Sequence, residues 1–159
     1  MNDHAFETLL LEQHPGIRQT LREVLWERFP DLQLTEVSTA REAMERLDAL
    51  QPALAIIELQ PDSPAAMALI RHVRALSPDT LILTLTDRDL PEYREAALVA
   101  GSDAFLSKRD DQLEALLDHV GRALAQGRCG RRGERRPDEA IRIRPAPGSR
   151  WPSSTPAAG

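Results

Sequence analysis

The chain has 159 residues, 42% hydrophobic and 28% charged, which suits one soluble globular domain with room for a core. A single cysteine, Cys129, excludes an intramolecular disulfide and fits a reducing, cytoplasmic setting, although a cysteine-poor exported protein would look the same. The net charge of −5 divides unevenly: residues 1–127 hold 22 Asp+Glu against 12 Lys+Arg, and residues 128–159 hold 8 Arg against 3 acids.

The N-terminus, MNDHAFETLLLEQ, carries Asp3 and Glu7 early and reads as neither a signal peptide nor a membrane span. Its FETLLL run (6–11) is the first of five apolar stretches of strand length. Pro15 then opens a helical pattern over 15–29, with Ile17, Leu21, Val24, Leu25 and Phe29 on one stripe, and Phe-Pro-Asp at 29–31 ends it. LQLTEV (32–37) is the second strand, followed by a helix over 39–50 on Ala43, Met44, Leu47 and Leu50. Gln51-Pro52 turns the chain into LAIIEL (54–59), and 64–76 forms a helix on Met67, Ile70, Val73 and Leu76. Ser-Pro-Asp at 77–79 precedes LILTLT (81–86). A weaker helix over 91–100 rests on Ala96, Ala97, Val99 and Ala100, and Gly101 stops it. DAFLS (103–107) and a helix over 110–126, on Leu113, Leu116, Leu117, Val120 and Leu124, complete the pattern.

Near-continuous apolar strands alternating with helices imply a parallel sheet covered on both faces, hence an α/β domain of five βα units over 1–127. Residues 128–159 contain five prolines, four glycines and no apolar stripe beyond a short IRI, so this segment reads as a disordered, Arg/Pro-rich basic tail.

In an open parallel sheet, sites form at the carboxyl ends of the strands. Those ends carry Glu12 and Gln13, Glu58, Thr86 and Asp87, and Lys108. Glu58 interrupts the apolar run AIIELQP and needs a partner, because an unpaired buried charge is costly. The strand-end position directs it into a polar cleft shared with Lys108.

These same residues carry a resemblance. LLLEQHP (9–15), LAIIELQP (54–61), LTLT (83–86) and AGSDAFLSK (100–108), in that order, resemble the strand ends of the receiver domain of bacterial two-component response regulators. The likeness covers roughly 5–126, and HPGIR with the Lys108 region is most similar to regulators that carry a helix-turn-helix output domain. It implies a five-stranded doubly wound sheet of flavodoxin-like order and a signalling module, not an enzyme. In that family an acidic pair and a phosphoacceptor aspartate hold Mg²⁺; here the pair is Glu12 and Gln13, and Glu58 stands at the phosphoacceptor position. Thr86 matches the residue that senses the phosphoryl group, Lys108 the one that pairs with it, and Phe105 the switch aromatic, without a hydroxyl. Arg109 replaces the proline common after the lysine.

The departures bear on chemistry. Mg²⁺ demands several oxygen ligands in tight geometry, and Gln13 removes one negative charge. The glutamate carboxylate sits one methylene further out, roughly 1.5 Å by bond length. A misplacement of about 1 Å can cost phosphoryl transfer on the order of 100-fold. The expectation is an atypical receiver that acts by protein–protein contact without efficient phosphorylation, through a signalling partner or a homodimer at the face built from 91–126. Glu58 then either imitates an aspartyl phosphate or keeps Lys108 partnered. One alternative is a phosphoacceptor with unusual ligands, in which Glu12 and Glu58 share a weak Mg²⁺; no other cofactor is implied.

The remaining features suggest no further chemistry. His4, His14, His72 and His119 lack metal-ligand spacing, and His14 reads as polar trim or a weak ligand beside the cleft. No nucleophile elbow, phosphate-binding loop or dinucleotide fingerprint is present. The tail arginines (128, 131, 132, 135, 136, 142, 144 and 150) balance the acidic body, or attract nucleic acid or an acidic partner, with Ile141 and Trp151 as possible anchors. The latter gives a second alternative, a nucleic-acid accessory protein acting through 128–159; so short a tail cannot build a helix-turn-helix.

Overall fold

The computed structural model describes residues 6–60, 63–109 and 113–126. The tail reading for 128–159, Cys129, His4 and Pro61 lie outside the described residues. Five strands and five helices alternate: β1 (Phe6–Leu11), α1 (Pro15–Arg28), β2 (Leu32–Val37), α2 (Ala40–Leu50), β3 (Leu54–Glu58), α3 (Pro64–Leu76), β4 (Leu81–Thr86), α4 (Pro91–Ala100), β5 (Ala104–Ser107) and α5 (Leu113–Ala125). The strands form one parallel sheet in the order β2-β1-β3-β4-β5, the doubly wound arrangement expected.

The strands are apolar on both sides because each side is covered. On one side, Leu9, Leu11, Ala55 and Ile57 pack with Leu47, Leu69, Ile70, Val73 and Ala97 from α2, α3 and α4. On the other, Leu10, Leu54, Ile56, Leu83 and Leu85 pack with Ile17, Leu21 and Leu25 of α1 and Leu113, Leu116, Leu117 and Val120 of α5. The alternation of Leu9 and Leu10 between the two cores is the strand period of two.

Helix ends follow local chemistry. The Thr39 side chain accepts the Glu42 N–H at the start of α2, and prolines occupy the first turn of α1, α3 and α4, where their missing N–H costs nothing. α4 ends at Gly101, whose φ of +125° is unfavourable for any side chain.

Two expectations for core positions need correction. Leu76, assigned to the apolar stripe of α3, is 51% exposed, because it lies in the last turn after the stripe has rotated past the sheet. Val99, assigned to the buried face of α4, is 81% exposed; α4 seats its small residues Ala97 and Ala100 on the sheet and turns its larger aliphatics outward. Met44, Leu50, Met67, Val24, Phe29 and Leu124 pack at the core margins.

Candidate functional site

Parallel pairing sets the site. Leu11 lies opposite Ile57, Glu58 opposite Leu85, and Thr86 opposite Ser107, so four strands end along one edge. The residue after β1, Glu12, the last residue of β3, Glu58, and the residue after β5, Lys108, are thereby brought into contact. All three are buried, and Glu12 is 0% exposed.

Lys108 Nζ lies 2.6 Å from Glu12 Oε2 and 2.8 Å from Glu58 Oε1. The other carboxylate oxygens take backbone donors. Gln13 N–H donates to Glu58 Oε2 at 2.9 Å, and His14 N–H donates to Glu12 Oε1 at 3.0 Å. Glu58 is thus a buried charge with both oxygens engaged, and the question raised by its sequence is answered by one ammonium and one amide.

Two carboxylates share one ammonium, and their environments divide them. Burial pushes Glu12 up to about 7; Lys108 opposes the shift and the Glu58 charge adds to it. Burial also acts on Glu58, but the Lys108 charge and the Gln13 N–H prevail and hold it below the usual carboxylate range. For Lys108, burial favours the neutral amine, yet the two carboxylates together raise its pKa.

The other residues singled out in the sequence surround this triad in different ways. Gln13 is exposed, and its side-chain oxygen accepts a hydrogen bond from the Gln60 amide. The Thr86 hydroxyl donates to Arg88 O and accepts the Arg88 N–H, both at 3.1 Å, so it caps the loop after β4. Phe105 is buried in the core, with the Arg94 guanidinium 5.2 Å from its ring centroid. Arg109 is exposed and its N–H donates to Ser107 Oγ. Asp87 is exposed beside the cleft. His14 caps α1, its Nδ1 accepting the Ile17 N–H at 3.2 Å.

Three contacts were not anticipated from sequence. Arg18 donates to the Glu12 carbonyl, Gln60 reaches Gln13, and Arg94 covers Phe105. The first has a local signal, an arginine one turn into the helix that follows the acidic position; the other two join residues of different elements and have none.

A divalent cation fits this donor set poorly. Glu12 and Glu58 each point an oxygen at the Lys108 ammonium, the neighbouring Gln13 side chain is a neutral amide turned outward, and no cluster of three His, Cys, Asp or Glu occurs among the described residues. No helix among the described residues is long and apolar enough to cross a membrane.

Residues 8–120 match the response regulator receiver domain family. A Pseudomonas aeruginosa protein named "Putative transcriptional regulator" is 30% identical over 111 residues, covering 70% of this chain and 53% of its own length. The Fimbriae Z protein of Salmonella typhimurium is 26% identical over 104 residues, 65% of this chain and 49% of its own. The chain therefore spans about half the length of the curated relatives it matches. Among solved structures, the BeF3-activated DrrB receiver domain superposes with a TM-score of 0.66 at 19% identity, covering 77% of this chain and 99% of that one. A LuxR-family two-component response regulator from Aurantimonas sp. gives 0.64 at 24% identity, over 76% of this chain and 86% of that one. With the sheet order and the match over 8–120 in agreement, the chain belongs to the receiver domain family of two-component response regulators.

Proposed function

We propose that this receiver signals by protein–protein contact without efficient phosphorylation of its third-strand carboxylate. The observation that carries the proposal is the engagement of Glu58: Oε1 is held by Lys108 at 2.8 Å and Oε2 by the Gln13 N–H at 2.9 Å. A nucleophilic oxygen must approach phosphorus in line, and catalysis of phosphoryl transfer is almost entirely positioning and charge neutralisation. Here the oxygen would have to leave an ammonium, from a side chain one methylene longer than aspartate, in a pocket whose acidic pair has lost a charge at Gln13.

Of the two roles open to Glu58, keeping Lys108 partnered has the better support. A phosphoryl mimic would engage both Lys108 and Thr86, and the Thr86 hydroxyl is committed to the Arg88 backbone. The surface offered to a signalling partner, or to a second copy, is that of 91–126, where α4, β5 and α5 are contiguous in sequence.

Amide NMR of the chain with Mg²⁺ and beryllofluoride, beside the Gln13→Asp/Glu58→Asp variant, tests this reading. The expected result is no change in the parent and shifts at Thr86 and Lys108 in the variant. Shifts at those residues already in the parent would mean that Glu12 and Glu58 bind metal and a phosphoryl mimic, which overturns it.

A further inference from the structure

Helix α4 is built inside out. Its fully buried positions are alanines, Ala97 and Ala100, with Tyr93 packed at the core margin, whereas Leu98 and Val99 are 46% and 81% exposed. Pro91, Arg94, Glu95, Leu98 and Val99 recur at helical spacing and, with Asp89, line one outward groove of about 500 Å³. Leu90 at the helix start is also exposed. The rim is acidic: Arg94 is occupied by Asp89 at 2.9 Å and by the Phe105 ring, and Glu92 and Glu95 have no ion-pair partner among the described residues.

We infer that the basic segment of this same chain around Ile141–Arg144 docks in the α4 groove. The sequence there, AIRIRP, is the one place in 128–159 where large aliphatics alternate with arginines. In an extended backbone, Ile141 and Ile143 fall on one side and Arg142 and Arg144 on the other. The isoleucines meet Leu98 and Val99, while the long arginine side chains reach round to Glu92 and Glu95 at the rim. Charge favours the match, since residues 1–127 hold 22 acids against 12 bases and residues 128–159 hold 8 arginines against 3 acids.

In this all-parallel sheet α4 and α5 end at the same edge, α4 on the face it shares with α2 and α3 and α5 on the face it shares with α1. The fifteen residues from 127 to 141 can reach at most about 50 Å. A domain of this size has a radius of gyration of roughly 14 Å. The docked segment would cover part of the surface offered above to a partner; that consequence rests on the partner reading, whereas the contact itself does not.

A nitroxide placed beside the segment reads the contact directly. In the full chain, Cys129→Ser removes the one native thiol and Ala146→Cys supplies a labelling site three residues past Ile143. Amide resonances of 94–99 are expected to lose at least half their intensity in the oxidised label, and to recover it in Ile141→Asp/Ile143→Asp and in Leu98→Asp. Absence of selective broadening at 94–99, or broadening that survives both substitutions, overturns the inference. So does broadening of 94–99 in unlabelled ¹⁵N chain mixed with nitroxide-bearing ¹⁴N chain at the level seen within one chain, since the occupant would then be the tail of a second copy.

Discussion

Lys108 is the only lysine in the sequence; every other strong base is arginine. Its compact ammonium, with three donors, serves two carboxylates at 2.6 and 2.8 Å. Breaking a buried pair by removing one partner costs about 3–5 kcal/mol, because the charges left behind are not solvated. Lys108→Met therefore should destabilise the domain by about that amount at pH 8, where Glu12 and Glu58 are both ionised. The pH dependence follows from the two carboxylates separately. Glu12 is raised from 4.5 to about 7 in the folded state, so its contribution is full below pH 4.5 and is lost as pH rises through 7. Glu58 is lowered, so its contribution is present above pH 4.5 and is lost only as pH falls through its folded value. Between pH 5 and 8 the triad changes by the Glu12 proton alone. Urea unfolding should accordingly show a smaller penalty for Lys108→Met at pH 5 than at pH 8. An equal penalty at both pH values would mean that Glu12 holds no proton in the folded state.

At the scale of elements, the end of α4 is held from below by one side chain. Arg74, in the last turn of α3, donates to the Gly101 carbonyl at 2.7 and 3.1 Å, to Pro78 O at 2.7 Å and Thr80 O at 2.9 Å, and pairs with Asp103 at 2.8 Å. It ties α3, the loop before β4 and the turn before β5 into one corner. Gly101 has a φ of +125°, and a Cβ there would lie 2.9 Å from Arg74 Cβ and Cγ. Gly101→Ala is expected to cost about 1–3 kcal/mol in urea unfolding, from backbone strain and displacement of Arg74 together; a change below about 0.5 kcal/mol would show that the corner yields freely. Gly101 as a helix stop was legible in the sequence, as were all ten elements, because strand and helix periods alternate along the chain, most weakly over 91–100. Arg74 was not legible, since two of its four partners, Gly101 and Asp103, meet it only in three dimensions. The side of α4 was misread for a related reason: apart from Tyr93 near its start, which packs against the core margin, the inner face is marked only by alanines, and the sheet selects the small ones. In the site, the meeting of Glu12, Glu58 and Lys108 could be read from strand ends alone. The capping role of His14 and the turn of Thr86 toward Arg88 depend on side-chain rotation, which spacing does not encode.

Across the whole molecule, the sheet separates two cores that share no side chain: Leu69 of α3 lies in one and Leu117 of α5 in the other, both 0% exposed. A single sheet buried on both faces cannot lose one cover and keep the other, since its strands would then present a row of leucines and isoleucines to water. The domain should unfold as one cooperative unit, with secondary-structure and tertiary probes giving the same urea midpoint. Leu69→Ala and Leu117→Ala should each cost about 2–5 kcal/mol, depending on how far the neighbours collapse into the cavity. Because the sheet stands between them and they have no common contact, the double variant should equal the sum of the singles to within about 0.5 kcal/mol. A larger coupling would mean that the strands shift when one face is cut, carrying a change in packing from the helices on one side to those on the other. That outcome bears on signalling. The triad sits at the strand ends and α4 on one face, so a rigid sheet confines a change at Lys108 to its own edge, whereas a sheet that shifts would give α4 a mechanical route to the pocket.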